Sequence, residues 1–442
     1  MLMFFVQFCL VLGAILIGIR KGGVALGMIG GLGVAGLVFL FGLAPSEPPI
    51  AVMLIILAVV TTSATLQVAG GLDYLVQIAE KILRAHPQRV TFLAPLATFF
   101  LTVCVGTGHA VYALLPVIAD VALKKRIRPE RPMAMASVAS QMGITASPVA
   151  AAVTTFLAFS AKTGASITLF DIVKITMPAG VIGILCGALV SLKKGKELDE
   201  DPEFLKRLED PDFRKSLEAN VTTLDKKLPW TAKASVFLFF AGVAAIVVLA
   251  LFPSLVPKDG SAKPVPMTTM VQIVMLGFGA LILFLTKVKA ADIAKSSVFT
   301  AGMTAVVSIF GIAWMSDTFV SGNKDLLIAQ IKSMVEFAPW TFALAMFAVS
   351  AFVKSQAATL TIMIPFGLAL GMPIPVLLGM VPASYAYFFF AFYPSDLAAI
   401  NMDRTGTTHI GKYLLNHSFM IPGLVSVGVS TIVAYILATL AF

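Results

Sequence analysis

The feature that most constrains this chain is a recurrence of apolar runs about 20 residues long, the length a helix needs to cross a bilayer's hydrocarbon core. Phe4 to Ile19, Val24 to Leu43, Ile50 to Ala69, Thr231 to Phe252 and Met267 to Thr286 are such runs, almost free of charge. Only 12% of residues are charged and 58% are hydrophobic, whereas soluble domains run about 25% charged. The expected class is therefore an all-α polytopic membrane protein, in contact with lipid. Its net charge of +9 is read as loop residues held on the cytoplasmic side, not as a nucleic-acid footprint. The stretch Met1 to Ile19 has no basic lead and no A-x-A site. It is expected to be the first span, not a cleaved leader.

Between the spans the pattern changes twice. "LDYLVQIAEKILRAH" places Leu72, Leu75, Val76, Ala79, Ile82 and Leu83 at helical spacing, beside Asp73, Glu80, Lys81 and Arg84. This predicts an amphipathic helix at the interface. The stretch 90–123 is apolar throughout, carries "GTGH" at its middle and has basic residues at both ends. Two arms of about 15 residues are too short for two full spans. They predict a re-entrant hairpin, whose non-helical tip must be buried in protein or line a wet cavity.

The same motifs return later. "FVKSQAATLTIMIP" sets Lys354 and small polar residues inside an apolar stretch, about 340–370. Thr107 pairs with Gln356 and Pro116 with Pro365 at one constant offset, and "ITASPVAAAV" lies against "AFYPSDLAAI". Each half then reads as five transmembrane helices plus one hairpin. Residues 1–192 form the N-terminal repeat, with a broken helix at about 133–160. Residues 193–229 form a charged, solvated cytoplasmic linker. Residues 230–442 form the C-terminal repeat, with a broken helix at about 376–402. An odd number of spans inverts the second half, the build of many secondary transporters. Placing Arg20, Lys21, the loop Lys124 to Arg131 and the linker inside puts both termini in the periplasm. An amphipathic piece is also expected at 324–337.

Two hairpin tips and two helix breaks would aim helix N-termini at one place. Ser147 before Pro148 reads as an N-cap with proline at the first helical position, and Ser395 and Asp396 after Pro394 read similarly. Helix N-termini favour anions, and two-fold related ones suit a substrate with a charge at each end. The candidate substrate residues are Thr107, Gly108, His109, Thr145, Ser147, Lys354, Ser355, Gln356, Thr359 and Ser395. Asp396 is the acidic candidate for coupling to Na+ or H+. Glu80, Arg84 and Arg128 are candidates for gating, and Asp317 for an ion site or an interfacial cap. Against these stand plainer readings. Runs of small residues are often packing surfaces, Lys354 would snorkel from a shallow tip, and Glu80 with Arg84 is a common surface pair. The four histidines are scattered, and Cys9, Cys104 and Cys186 lack metal or disulfide spacing. No catalytic residue, metal or cofactor is expected, and the chain does not read as an enzyme.

"LQVAGGLDYLV", "GTGH", "ITASPVAAAV", "AWMSDTFV", "SQAAT", "FYPSDLAAI" and "MDRTGTTHIGKYLLNHSFMIPG" together resemble the anaerobic C4-dicarboxylate transporter (Dcu) family, from the first helix to the C-terminus. The resemblance implies a bacterial inner-membrane antiporter of the ion transporter superfamily. It would exchange fumarate, malate or aspartate for succinate during anaerobic respiration, by an elevator or rocking motion. It also implies dicarboxylate contacts at Thr107, Gly108, Ser147, Ser355, Gln356, Thr359 and Ser395. Related folds imply a homodimer. The alternative is a cation-coupled transporter or cation/proton antiporter of the same superfamily, which acidic tips would favour; these tips have none.

Overall fold

The computed structural model describes residues 2–21, 24–48, 50–163, 167–217, 221–258, 264–323, 338–390, 393–411 and 415–442. Among them the protein is helical throughout, and β-pairing is confined to two isolated bridges, Lys258 with Pro264 and Ile410 with His417.

The first part of the chain runs α1 (Leu2–Lys21), α2 (Ala25–Ala35), α3 (Ile50–Val68) and α4 (Gly71–Ala85). A π-helical turn, Gly36–Leu40, extends α2. Gly70 at φ 85° lets the chain turn between α3 and α4, which meet at 69°. In α4, Val76, Ala79, Glu80 and Leu83 are buried while Ile78, Lys81 and Ile82 are exposed. Then come α5 (Val90–Val105) and α6 (Val111–Lys124), packed on each other across a glycine turn. α7 (Glu130–Met142) and α8 (Ala151–Lys162) are separated by a 3-10 turn at Gly143–Ala146, and α9 (Leu169–Ser191) follows.

The linker is more ordered than its charge density suggests. It contains α10 (Pro202–Arg207) and α11 (Pro211–Leu217). Its carbonyls and side chains meet α4 and the start of α7, so the expected charged, solvated linker is also docked. The reason is a set of long-range ion pairs, described below.

The later part runs α12 (Trp230–Leu251), α13 (Met267–Thr286), the short α14 (Ala290–Lys295) and α15 (Ser297–Gly322). The amphipathic piece expected at 324–337 lies outside the described residues. α16 (Thr341–Val353) and α17 (Gln356–Ala369) form the second pair of apolar arms. α18 (Ile374–Met380), a 3-10 turn at Val381–Ser384 and α19 (Pro394–Met402) form the second broken stretch, and α20 (Met420–Ala441) ends the chain.

Ten spans are not all found as single long helices. Among the described residues seven segments are long and apolar enough to cross a membrane, or eight if the bent α3–α4 pair counts as one span. Leu2–Gly18, Ala25–Leu40 and Ile374–Ser384 are shorter. In the last case the backbone from Tyr385 to Phe390 is non-helical.

Packing across the sequence halves is close. α2 lies on α15, α3 on α13, and α9 on α20. α2 and α15 touch backbone to backbone: a methyl carbon added at Gly311 would sit 1.7 Å from the Gly27 carbonyl oxygen. Small residues permit this approach, and dispersion and backbone contact are what bind helices in lipid.

Candidate functional site

The two turns between paired arms are built alike. α5 ends in Gly106 at φ 81°, and Thr107 follows in extended conformation and accepts from the His109 amide. α16 ends in Lys354 at φ 54°, and Ser355 follows in extended conformation and accepts from the Ala358 amide. In the first turn a glycine takes the left-handed conformation at little cost. In the second a lysine takes it, at roughly 1 kcal/mol or more. Backbone strain of this kind is retained where the surroundings enforce it, often at functional sites.

Both turns and both breaks meet at Gln141, in the last turn of α7. Gln356 Nε2, at the start of α17, donates to the Gln141 main-chain carbonyl at 2.7 Å and to the Tyr387 hydroxyl at 3.3 Å. The Tyr387 hydroxyl donates to Gln141 Oε1 at 3.0 Å. Gln141 Nε2 reaches the hydroxyls of Ser140 at 3.3 Å and Ser395 at 3.4 Å. Ser137 Oγ lies 2.9 Å from Ser395 Oγ and donates to Asp396 Oδ1 at 2.7 Å. Gly108 backs onto the same carboxamide, for a side chain there would begin 2.3 Å from Gln141 Nε2. An aromatic wall closes the cluster, with ring centres 4.8 Å apart for Tyr385 and Tyr387 and 4.3 Å for Tyr387 and Tyr393.

This centre is closed. Gln141, Gln356, Tyr387, Ser395 and Asp396 are each at most 2% exposed. Cavities of about 300 and 310 Å³ lie elsewhere, under apolar residues such as Val103, Phe170 and Phe239, or Leu157 and Met267. The second is also lined by Thr168 and Thr268. The polar side chains of the two halves instead bond to one another.

Sequence reasoning named Gly108, Gln356, Ser395 and Asp396, and these do come together; Lys354 forms the turn just before Ser355 and Gln356. His109 sits beside Thr107, whose hydroxyl is 2.7 Å from Nδ1. The expected helix starts need correction, and the other named residues are placed as follows. Ser147 does not cap α8; the cap position is Ala150, and the Ser147 hydroxyl donates to the Val103 carbonyl at 2.8 Å. The same oxygen accepts from the Val149 amide at 3.3 Å, so it holds the turn before α8 and α5 at once. Ser395 lies inside the first turn of α19, after Tyr393 as cap and Pro394. Thr145 and Thr359 spend their hydroxyls on the carbonyls of Met142 and Ser355, at 3.0 and 2.8 Å. Asp317 lies within α15 and is half-buried.

Glu80, Arg84 and Arg128 belong to a separate charged face that holds the linker. Glu80 is buried, accepts from Thr222 Oγ1 at 2.7 Å and from Thr223 N and Oγ1 at 2.7 and 2.6 Å, and pairs with Arg84 at 2.7 Å. Burial pushes its carboxyl up, but the bonds from Thr223, Thr222 and Arg84 outweigh that and hold it below the usual range. Arg84 also pairs with buried Asp120 at 3.2 Å, which Lys124 meets at 3.0 Å and Arg404 at 3.8 Å. Arg128 pairs with Glu130 at 2.7 Å and with Asp201 of the linker. Arg207 of α10 donates to the Thr405 carbonyl at 2.8 Å. These residues fasten loops together and do not reach the polar centre through any hydrogen bond among the described residues.

Gln141, Ser137 and Tyr387 were not foreseen. The available signal was "SVASQ", which repeats polar residues at Ser137, Ser140 and Gln141 along one apolar helix. Polar side chains at helical spacing in a span must face protein or water.

A family model described as an anaerobic C4-dicarboxylate membrane transporter matches residues 3–442. The chain is 44% identical over 443 residues to the anaerobic C4-dicarboxylate transporter DcuB of Shigella flexneri, covering 99% of each. It is 37% identical over 435 residues to the C4-dicarboxylate transporter DcuA of Wolinella succinogenes, covering 98% of each.

Proposed function

The chain belongs to the family of anaerobic C4-dicarboxylate membrane transporters, and from that premise we propose that it exchanges C4-dicarboxylates across the bacterial inner membrane. Fumarate, malate or aspartate enters and succinate leaves, by alternating access. The observation that carries this reading is the meeting of both turns and both helix breaks at Gln141. The donors there are Gln356 Nε2, Gln141 Nε2 and the Tyr387, Ser137 and Ser395 hydroxyls. They bond to each other in this closed form, and substrate carboxylates take them over when the site opens. Lys354 supplies positive charge and the α17 N-terminus adds its dipole.

Inverted repeats divided at residues 193–229 are part of the proposal, and the packing supports them by its exchange symmetry. α2 on α15 answers α13 on α3, and α17 on α8 answers α6 on α19. The arms α5–α6 and α16–α17 are then the two re-entrant hairpins. The linker is cytoplasmic, the termini periplasmic, and the protein a homodimer.

Counterflow in proteoliposomes tests the activity. Labelled fumarate should enter vesicles loaded with succinate and not empty ones. Arms with Na+ and pH gradients identify a co-ion. No uptake under any gradient would overturn the reading and put the cation antiporter first.

A further inference from the structure

The closed centre holds two buried acceptor oxygens without a hydrogen-bond donor, Gln356 Oε1 and Asp396 Oδ2. Their residues are 2% and 1% exposed. The amide orientation of Gln356 is fixed by chemistry. Its nitrogen faces the Gln141 carbonyl at 2.7 Å, a group that only accepts, so a flip would oppose two acceptors. At Asp396, Oδ1 takes the Ser137 hydroxyl. Two neighbouring donors are committed elsewhere, the Tyr387 hydroxyl to Gln141 Oε1 and Gln141 Nε2 to Ser140 and Ser395. Buried polar atoms without partners are few in native proteins, and each calls for an explanation.

We infer that Gln356 Oε1 and Asp396 Oδ2 read a hydrogen-bond donor on C2 of the substrate, so that the site favours C4-dicarboxylates bearing an ammonium or hydroxyl there. This rests on the C4-dicarboxylate reading above and adds a selectivity rule with named residues. The two carboxylates of the substrate need donors, which Lys354, the α17 N-terminus and the hydroxyls supply. Two leftover acceptors do nothing for them, and the Asp396 charge opposes them. An ammonium on C2 reverses that opposition into attraction, and a hydroxyl offers one donor. A keto oxygen at C2 places an acceptor against acceptors. A C2 donor then adds one bond, worth about 1 kcal/mol net, to a site that fumarate and succinate enter without it.

The test is competition against labelled-succinate counterflow, with the full chain in proteoliposomes. L-malate and oxaloacetate differ little in shape but exchange a donor for an acceptor at C2. In the unmodified protein malate should inhibit at about tenfold lower concentration than oxaloacetate. Asp396→Asn should weaken inhibition by aspartate about tenfold more than inhibition by unlabelled succinate. If that variant does not reach the membrane, Gln356→Met removes the other acceptor and should narrow the malate–oxaloacetate gap. Equal inhibition by malate and oxaloacetate, or equal losses for aspartate and succinate in a variant, would overturn the inference. Absence of any succinate counterflow in the unmodified protein would instead sink the transport reading beneath it, and this one with it.

Discussion

Gln356 donates its side-chain amide to the main-chain carbonyl of Gln141, 2.7 Å away and 215 positions earlier in the chain. That bond joins the second turn to the first helix break. In the alternating access proposed above, opening that centre would break the bond.

Replacing Gln356 with alanine should therefore lower succinate exchange at least about tenfold, while insertion and folding survive. A buried acceptor left unsatisfied costs about 1–3 kcal/mol, which a protein of this size withstands. Counterflow rates together with thermal unfolding in detergent would check both halves of the expectation. Normal exchange by this variant would remove the second turn from the site.

Lys354 permits a cleaner separation of backbone from side chain. Its φ of 54° costs a lysine roughly 1 kcal/mol and a glycine almost nothing. Lys354→Gly should leave stability unchanged or raise it by about 1 kcal/mol, yet impair exchange, because the positive charge at the second turn is gone. A variant that is both more stable and fully active would show that the lysine is only a turn residue.

Two glycines should answer the same substitution differently. At Gly311 an added methyl meets the Gly27 carbonyl oxygen at 1.7 Å. That neighbour is backbone, so α2 and α15 must separate, and Gly311→Ala should destabilise by about 1–3 kcal/mol or more. At Gly108 the added methyl meets the end of the Gln141 side chain at 2.3 Å. The carboxamide can swing aside, but only by leaving Tyr387 and Ser395. Gly108→Ala should thus cost exchange more than stability. Equal thermal losses for the two variants would contradict the hub role of Gln141.

How far this was legible in the sequence depended on the range of the interaction. "GTGH" and "SQAAT" stand out because polar residues interrupt apolar runs, and both mark turns at the ends of arms. α13 matched its expected bounds because nothing but an apolar run was needed to define it. Ser147 misled because a serine before proline satisfies the local rule for a helix start, while the hydroxyl actually bonds Val103. Gln141 was invisible to a search for turns because it lies in the last turn of a regular helix. The linker's docking depends on pairs such as Arg128 with Asp201 and Glu80 with Thr223, whose partners no local pattern identifies.

That docking should depend on acidity in one direction. Asp201 is raised by burial but lowered more by Arg128 and by the amides of Phe204 and Glu203, so its carboxyl lies below the usual range. Glu80 is shifted the same way. Carboxyls depressed in the folded state contribute stability above their ordinary pKa, about 4, and lose it as pH falls through the folded values. The linker should stay docked from neutral pH down to about 4 and loosen below. Hydrogen exchange in residues 195–217 across that range is the check; loosening on going from pH 5 to 8 would contradict the sign.

The last prediction concerns which side of the membrane the charged face occupies. Arg84, Lys124, Arg128, Lys194 and Arg404 belong to four separate chain segments, yet ion pairs through Asp120, Glu130 and Asp201 bring them onto one face with the linker. The positive-inside rule counts basic residues near span ends, and here it counts them together, which points that face to the cytoplasm. The three native cysteines must first be removed, because Cys9 is exposed and Cys104 and Cys186 are partly so. A single cysteine at the exposed position Lys215 should then react with a membrane-impermeant maleimide in inside-out vesicles and stay unlabelled in intact spheroplasts. Labelling in spheroplasts would turn the whole topology over. It would place the first pair of arms, α5 and α6, on the periplasmic side and the second pair, α16 and α17, on the cytoplasmic side.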